Sequence, residues 1–332
     1  MADIAITTEL QEIQNNLWGT NVRENIALAL EKLQNLPEEP NTIQGSLKNS
    51  KLSLLKVSIQ NMENTLQSRK DQLDRIKARL EQASGRTILQ YGKCGNDVYY
   101  TICDDGEAAL YGTGATYDYT SHDSVFYQND QIKEIVLSNG ITGLGDRLFY
   151  HCANAKTVSL PATLTSIGDS AFAQEDAAIN DTAGLTSVTI PQAVTAIQSF
   201  AFQHTAIAEV TVPANVKTWG KYVFSDCTKL KTARVACSSI GAFAFTRCTA
   251  LSNLTISANC KTFGENMLTY CESLKTITYE GTITQWNAIT KPVNWMSSGE
   301  HSYNNYLKKI QCIDGYLEYD SENNVWNEVK NG

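Results

Sequence analysis

The chain has 332 residues and a formal net charge of −8, a length that fits two or three domains. It has no run of 18 apolar residues, so we predict no membrane insertion. Its start, MADIAITTELQEIQ, lacks the basic and apolar segments of a secretory signal peptide, so we predict synthesis in the cytoplasm. The nine cysteines are an odd number and contain no Cys-x-x-Cys pair, which argues against a disulfide framework and a zinc ribbon.

Residues 1–42 are predicted to form helices. Their apolar residues fall on two stripes at helical spacing, and Trp18-Gly19 and Asn21 separate the stripes. Pro37 and Pro40 disfavour helix around them, so the segment ends there. The stripes consist of Leu10, Ile13 and Leu17, then Val22, Ile26, Ala29, Leu30 and Leu33.

Residues 43–85 carry a heptad pattern with apolar residues at two of every seven positions. A lone amphipathic helix is one interpretation, but a period of 3.5 over about five heptads from Leu52 to Ala83, a span without Gly or Pro, favours a coiled coil. Arg69 lies at a core position, where it would reduce stability but could fix the register. We predict a homo-oligomer, joined through Leu52, Leu55, Ile59, Met62, Leu66, Arg69, Leu73, Ile76 and Leu80.

From Gly85 onward the chain repeats one phrase every 21 to 23 residues, with one longer unit. Each unit begins with an apolar residue, and two more follow at positions +3 and +5, which predicts a short strand with one buried face. A second apolar cluster follows and would form the return limb that covers the strand. A single unit cannot bury this surface but stacked units can, so the repeats predict a solenoid. The units begin near Ile132, Ala155, Leu185, Ile207, Leu230, Leu251 and Leu274.

The predicted fold class is therefore mixed: an N-terminal α-helical and coiled-coil stalk followed by a β-rich repeat solenoid. The predicted domains are a helical attachment segment (1–42), a coiled-coil stalk (43–85), a β-rich N-terminal cap (86–130), the solenoid (131–280) and a C-terminal cap (281–332).

Four cysteines end the phrase Phe/Leu-x-x-Cys, one in each of four units. A column with one thiol per unit does not supply the convergent ligands that metal or redox chemistry requires. We predict that Cys152, Cys227, Cys248 and Cys271 are buried, unpaired thiols, and we do not expect a bridge between Cys94 and Cys103.

The phrase Ser-Ile-Gly-Asp-Ser-Ala-Phe (166–172) and its copies resemble the BspA-type leucine-rich repeat. That family is common in proteins displayed at bacterial surfaces, and in gut bacteria and their phages. The likeness covers most of residues 90–320, with Gly112-Thr-Gly-Ala-Thr-Tyr resembling the family's β-rich lead-in and Asp314-Gly315 its closing segment. The insertion at 174–184 departs from the pattern, and the unit starting at Leu230 lacks two residues and its proline.

The N-terminus resembles, over about thirty residues, the opening of tail and baseplate accessory proteins from phages of Gram-positive bacteria. This resemblance implies docking to other tail or baseplate proteins through Ile13, Trp18, Val22, Arg23 and Ile26. It also implies that the homo-oligomer is a trimer, since the heptad residues alone leave the number of strands open.

Enzymatic and nucleic-acid functions are not indicated. The four histidines are scattered, and no His-Glu-x-x-His, Gly-x-Ser-x-Gly or phosphate-binding loop is present. Residues 85–332 carry 17 Lys and Arg against 24 Asp and Glu, so a phosphate backbone would be repelled. We predict no catalytic residues, no metal site, no cofactor and no nucleic-acid partner.

Two functions fit these features. The first is a tail fibre or receptor-binding protein of a phage or phage-tail-like particle, located in the virion tail and attached to a host surface glycan or protein through the repeats. The alternative is a BspA-like adhesin at the bacterial cell surface, which would need an export signal. The absence of a visible signal, the predicted rod and the N-terminal resemblance favour the first.

The contact residues are harder to predict. The Ser/Thr-rich strand residues that face away from the core, among them Thr211, Arg234 and Thr255, form either a binding face or merely a solvated one. The insertion and the late aromatic residues are the stronger candidates, although the aromatic residues could instead cover the last unit. The candidate receptor contacts are Gln174, Glu175, Asp176, Asn180, Asp181, Trp295 and Tyr303.

Overall fold

The computed structural model describes the repeat region and the segments on either side of it. The described residues are 85–120, 123–174, 183–296, 306–320, 322–323 and 325–331, with 53, 56–57, 60–61, 63–65, 67–68, 70–71, 74–75, 77–78 and 81–82 before them. No helix within these ranges combines the length and apolar character that crossing a membrane requires.

Three strands open the described fold: β1 (Ile88–Lys93), β2 (Gly95–Cys103) and β3 (Glu107–Thr116). β2 and β3 form an antiparallel hairpin. β3 then pairs in parallel with the first strand of each of two ladders, through Glu107–Leu110 with β4 and through Gly114 and Ala115 with β5. This long strand is therefore the template on which the repeats stack.

Each repeat is one rung, and most rungs contribute a strand to each of two parallel ladders. The first ladder contains β4 (Glu134–Leu137), β6 (Thr157–Ser159), β9 (Glu209–Val212), β11 (Thr232–Val235), β13 (Asn253–Ile256) and β15 (Thr276–Tyr279). The second ladder contains β5 (Ile141–Leu144), β7 (Ser166–Ile167), β8 (Ala196–Ile197), β10 (Thr218–Trp219), β12 (Ser239–Ile240) and β14 (Thr262–Phe263). The solenoid predicted from the repeats is confirmed.

The core between the ladders is built on a stack of phenylalanine rings, one per rung. The six rings are fully buried and successive centroids lie 4.7 to 5.8 Å apart. The rungs also approach closely at a glycine column: a Cβ on Gly220 would lie 2.2 Å from the backbone nitrogen of Ser199 in the preceding rung. The stacked rings are Phe126, Phe149, Phe172, Phe202, Phe224 and Phe245.

A second, shorter aromatic stack lies at the surface of the return limbs. The rings of Phe200, Tyr222 and Phe243 are half-buried and nearly parallel, with centroids 5.1 and 4.4 Å apart. All three residues have φ between 57° and 59°, a conformation that is unusual for bulky side chains. The tight turn of each rung imposes this backbone conformation, and the ring contacts offset part of its strain.

The last rung is closed by a helix, α1 (Ile283–Asn287), and by three strands, β16 (Lys309–Cys312), β17 (Gly315–Asp320) and β18 (Val325–Lys330). β16 and β17 form the closing hairpin. Thr282 caps α1 in a capping box with Gln285. The Trp286 ring of α1 packs against Phe263 and Tyr279 at centroid distances of 5.5 and 5.3 Å. These rings cover the apolar end that an unclosed solenoid would expose.

The mixed fold class predicted from the sequence is wrong. The described fold is a β-rich solenoid, and its buried apolar core contains no described residue before Ile88. Described positions between 53 and 82 are helical, but their side chains are mostly exposed. A heptad period reports an apolar stripe on a helix, and it does not determine that a coiled-coil stalk forms part of the fold.

The N-terminal predictions concern residues that the structure does not describe. Every residue predicted for oligomerisation, from Leu52 to Leu80, lies outside the described residues, as do the predicted docking residues Ile13, Trp18, Val22, Arg23 and Ile26. The trimer and the tail contacts stay predictions, as do the domain boundaries. The chain divides into two compact units, Met1–Ile88 and Leu89–Gly332, of which the second contains the repeats.

The predicted cysteine column is confirmed. Cys152, Cys227, Cys248 and Cys271 are at most 1% exposed, and all nine cysteines of the chain are buried thiols outside any disulfide. Each thiol of the column approaches a carbonyl oxygen of the preceding rung, such as that of Phe224 at 3.0 Å from Cys248 Sγ.

We expect these thiols to resist labelling in the native protein. Burial excludes the reagent and raises the pKa of Cys152 to about 12, so the reactive thiolate is scarce at neutral pH. A thiol-reactive chromophore at pH 7.5 should label none of the column cysteines in minutes, but all of them in concentrated guanidinium chloride. Rapid native labelling of the four would contradict the packing of the rungs.

Candidate binding surface

The first ladder presents two outward rows of side chains to solvent. Residues in register on neighbouring parallel strands share a face, so each row follows one position through β9, β11, β13, β15 and β16. We call these two rows the sheet face. The first row is Glu209, Thr232, Asn253, Thr276 and Lys309, and the second is Thr211, Arg234, Thr255, Thr278 and Gln311.

The core fixes the orientation of the sheet face. The row between the two outward rows is at most 4% exposed along all five strands. A slip of one residue would expose these apolar side chains and bury the polar ones, so the register is strongly specified. The buried row is Val210, Ala233, Leu254, Ile277 and Ile310.

The sheet face is chemically a hydrogen-bonding surface. Its threonine hydroxyls and its Asn253 and Gln311 amides can both donate and accept hydrogen bonds. Arg234 donates from Nη2 to both carboxylate oxygens of Glu280, at 2.9 and 2.7 Å, but both side chains are about 40% exposed. An exposed ion pair contributes little to stability, so either charged group can leave its partner and bind a ligand instead.

The closing hairpin extends the sheet face beyond the repeats. In the antiparallel register Tyr316 lies opposite Gln311 and Glu318 opposite Lys309. The Lys309 ammonium nitrogen lies 3.9 Å from the centroid of the Tyr316 ring, a cation–π contact. This hairpin was not among the residues predicted to face outward, although the alternating pattern around Asp314-Gly315 is a hairpin signal that identifies it.

The sequence predicted part of this surface. Among the strand residues expected to face outward, Thr211, Arg234 and Thr255 lie on the sheet face. Thr186, Ser187 and Thr189 are exposed on the third rung, which has no regular strand in the first ladder.

Two of the predicted receptor contacts are described, and both are buried. Gln174 is 4% exposed and donates a hydrogen bond from Nε2 to the carbonyl oxygen of Phe172, while Trp295 is 8% exposed and packs against Phe263. Both side chains contribute to packing in this structure. The other five, Glu175, Asp176, Asn180, Asp181 and Tyr303, lie outside the described residues, and their contact with a receptor stays a prediction.

The titratable groups with large pKa shifts are packing groups. Burial raises the pKa of the Cys227 thiol to about 12 and lowers the pKa of Lys291 to about 8. The Lys291 ammonium donates to the Ile289 carbonyl oxygen at 3.2 Å and lies 4.9 Å from the Trp286 ring, so it helps to close the last rung. No group of three or more His, Cys, Asp or Glu side chains in the described part of the chain is arranged to hold a metal ion.

Stacked rungs of about 22 residues, a parallel ladder and a polar sheet face define a leucine-rich-repeat solenoid. The model of the BspA type leucine-rich repeat region matches six copies of the repeat, within residues 120–180 and 175–290. The chain belongs to this family.

Solved structures with similarity to the chain include three leucine-rich-repeat proteins. The protein from Eubacterium ventriosum is 20% identical, with 67% of this chain and 77% of that chain covered and a TM-score of 0.38. The Bacteroides ovatus protein is 15% identical, with 66% of this chain and 76% of that chain covered and a TM-score of 0.37. The T. pallidum protein is 16% identical, with 63% of this chain and 96% of that chain covered and a TM-score of 0.40. These likenesses are weak and support no functional argument. No curated protein sequence matches the chain.

Proposed function

We propose that this protein is a non-enzymatic adhesin, displayed at a bacterial cell surface, that binds a protein or glycan of another cell through the sheet face. The observation that carries the proposal is the sheet face itself, which presents two aligned rows of polar side chains on a closed solenoid. Membership of the BspA-type family supports the proposal, because its repeats resemble those of proteins displayed at bacterial surfaces.

The physical basis of binding is preorganisation. Each strand of the sheet face is hydrogen-bonded to its neighbours, and its buried side chains leave it no alternative register. A polar ligand therefore meets groups already in place, and little conformational entropy is lost on binding. The alignment of like positions also suits a ligand that is itself repetitive.

The test uses the full chain and two matched double variants. Thr232→Glu with Asn253→Glu adds bulk and negative charge to exposed positions of the sheet face, and Thr218→Glu with Thr262→Glu adds the same to exposed positions of the second ladder. Labelled protein is applied to panels of epithelial and intact bacterial cells, and attachment is measured by flow cytometry. We expect the sheet-face variant to lose attachment at least about tenfold and the second-ladder variant to keep it.

Both variants should melt at the wild-type temperature, since none of the four positions is buried. Equal attachment by the two variants, or no attachment of the wild type to any cell, would refute the proposal.

A phage or phage-tail-like particle is the second candidate location, and the sequence resemblance of residues 9–27 favours it. Binding through the repeats would be the same, but the partners would include other tail or baseplate proteins and further copies of this chain. Immunoblots of the cell envelope and of purified particles from an induced culture discriminate between the two locations. Protein found in the envelope alone would exclude the particle.

A further inference from the structure

A row of lysines follows one edge of the first ladder. The residue immediately before the first outward position of the seven rungs and of β16 is lysine in five of these eight places and acidic in none. We call these eight residues the edge row: Lys133, Lys156, Thr186, Ala208, Lys231, Ser252, Lys275 and Lys308. All are exposed except Lys156, which is half-buried. The row stands out because the chain as a whole carries a net charge of −8.

Backbone hydrogen bonds align the edge row. The amide of each residue donates to the carbonyl of the residue one rung earlier, at 2.8 to 3.2 Å, in six of the seven steps. The seventh step, from Ser252 to Lys275, joins the paired strands β13 and β15. With about 4.8 Å between neighbouring strands, eight aligned positions extend over about 34 Å.

The last three lysines of the row have no carboxylate partner in the described part of the chain: none lies within ion-pair distance of Lys231, Lys275 or Lys308. Lys275 and Lys308 are neighbours on adjacent strands, since the Lys308 amide donates to the Lys275 carbonyl at 2.9 Å. Like charges in this arrangement repel each other, and a bound anion would relieve the repulsion.

Tyrosine rings lie beside two of these lysines. The Lys275 ammonium nitrogen is 4.4 Å from the centroid of the Tyr306 ring, and that of Lys308 is 5.7 Å from the centroid of the Tyr319 ring. The hydroxyl and amide groups of the sheet face begin one residue further along each strand. Cations, aromatic rings and neutral hydrogen-bonding groups thus occur side by side.

We propose that the edge row binds the acidic groups of an extended anionic polysaccharide, while the neighbouring sheet face contacts its hydroxyl groups. This inference rests on the proposed adhesin function and assigns its ligand class. Carboxylate or sulfate groups of such a chain would pair with the lysines of the row, and its hydroxyl groups with the neutral side chains beside them. Single-stranded DNA has no free hydroxyl groups on the sugars along its chain, so its backbone could not match the hydroxyl and amide groups of the sheet face.

The experiment measures binding of the full chain to immobilised polygalacturonate, neutral dextran and single-stranded DNA by biolayer interferometry at two salt concentrations. The edge-row variant is Lys231→Gln, Lys275→Gln and Lys308→Gln. The matched control, Lys217→Gln, Lys221→Gln and Lys261→Gln, removes three exposed lysines from the return limbs. A third variant replaces the three edge lysines by arginine.

We expect wild-type protein to bind polygalacturonate and not dextran, with affinity that falls as salt rises. The edge-row variant should bind about tenfold more weakly, as three exposed ion pairs predict. The control and the arginine variant should stay within about twofold of wild type, because they retain the edge charges.

Equal loss in the edge-row variant and the control, or tighter binding to DNA than to polygalacturonate, would overturn the inference. If the edge-row variant lost polygalacturonate but attached to cells normally, the glycan would not be the cellular ligand, and the adhesin function would stand. Polygalacturonate binding by a wild type that attaches to no cell would refute the adhesin function alone.

Discussion

Replacing Phe224 by alanine should lower the free energy of unfolding by about 3 to 5 kcal/mol, the usual range for removing a buried aromatic ring. The Phe224 ring is fully buried and stacks between Phe202 and Phe245, at centroid distances of 5.3 and 5.8 Å. Neighbouring rungs hold the backbone in place on both sides, so the cavity cannot collapse. Urea unfolding followed by circular dichroism measures the change.

The outer aromatic stack provides a matched control for this variant. Phe243 is half-buried and its φ is 57°, so replacing it by glycine removes a ring contact but also relieves backbone strain. The lost ring contact and the relieved backbone strain each change the free energy of unfolding by about 1 kcal/mol, in opposite directions. The Phe243→Gly protein should therefore be nearly as stable as wild type. If Phe224→Ala and Phe243→Gly destabilised the protein equally, the buried phenylalanine stack would not be the centre of the core.

The sequence predicts the rungs well because every rung buries apolar side chains at the same positions against its neighbours. The apolar positions at +3 and +5 recur and belong to buried faces of the first ladder, and the four Phe/Leu-x-x-Cys phrases place their thiols in one column. Each prediction is supported several times over, since an error in one rung would conflict with the next. The family resemblance has the same origin and is confirmed.

The unrepeated parts were harder to predict. Gln174 looks like the start of an exposed insertion, but it occupies the position that His204 holds in the next rung, two residues after the stacked phenylalanine, and it packs against Gly184. Its polarity alone gave no sign of burial. The fold-class prediction was wrong for a related reason. The heptad pattern describes one apolar stripe of a helix, and the same segment does not specify the surface against which that stripe would pack.

The protein should lose stability steeply above pH 9. Burial raises the pKa of Cys152 and Cys227 from 9.0 to about 12, and it raises the pKa of Cys248 and Cys271 as well. Between pH 9 and about 12 the unfolded chain has released these protons while the folded chain still holds them. The folded state then binds more protons, so the free energy of unfolding falls as pH rises, by about 1.4 kcal/mol per pH unit for each thiol.

The four thiols of the column together should therefore remove about 5 kcal/mol per pH unit, which is comparable with the whole stability of a typical domain. Urea unfolding under reducing conditions, measured at intervals from pH 7.5 to 10.5, gives the total slope, to which the other buried thiols add, since burial also raises the pKa of Cys94 and Cys237 to about 12. A variant with Cys227→Ala and Cys248→Ala should be less stable at pH 7.5, because it leaves small cavities, but its alkaline slope should be shallower by about 3 kcal/mol per pH unit, the share of the two removed thiols. The curves of the two proteins should converge as pH rises. Parallel curves would mean that the column thiols ionise in the folded state as easily as in the unfolded one, and that their burial does not control the alkaline limit of the fold.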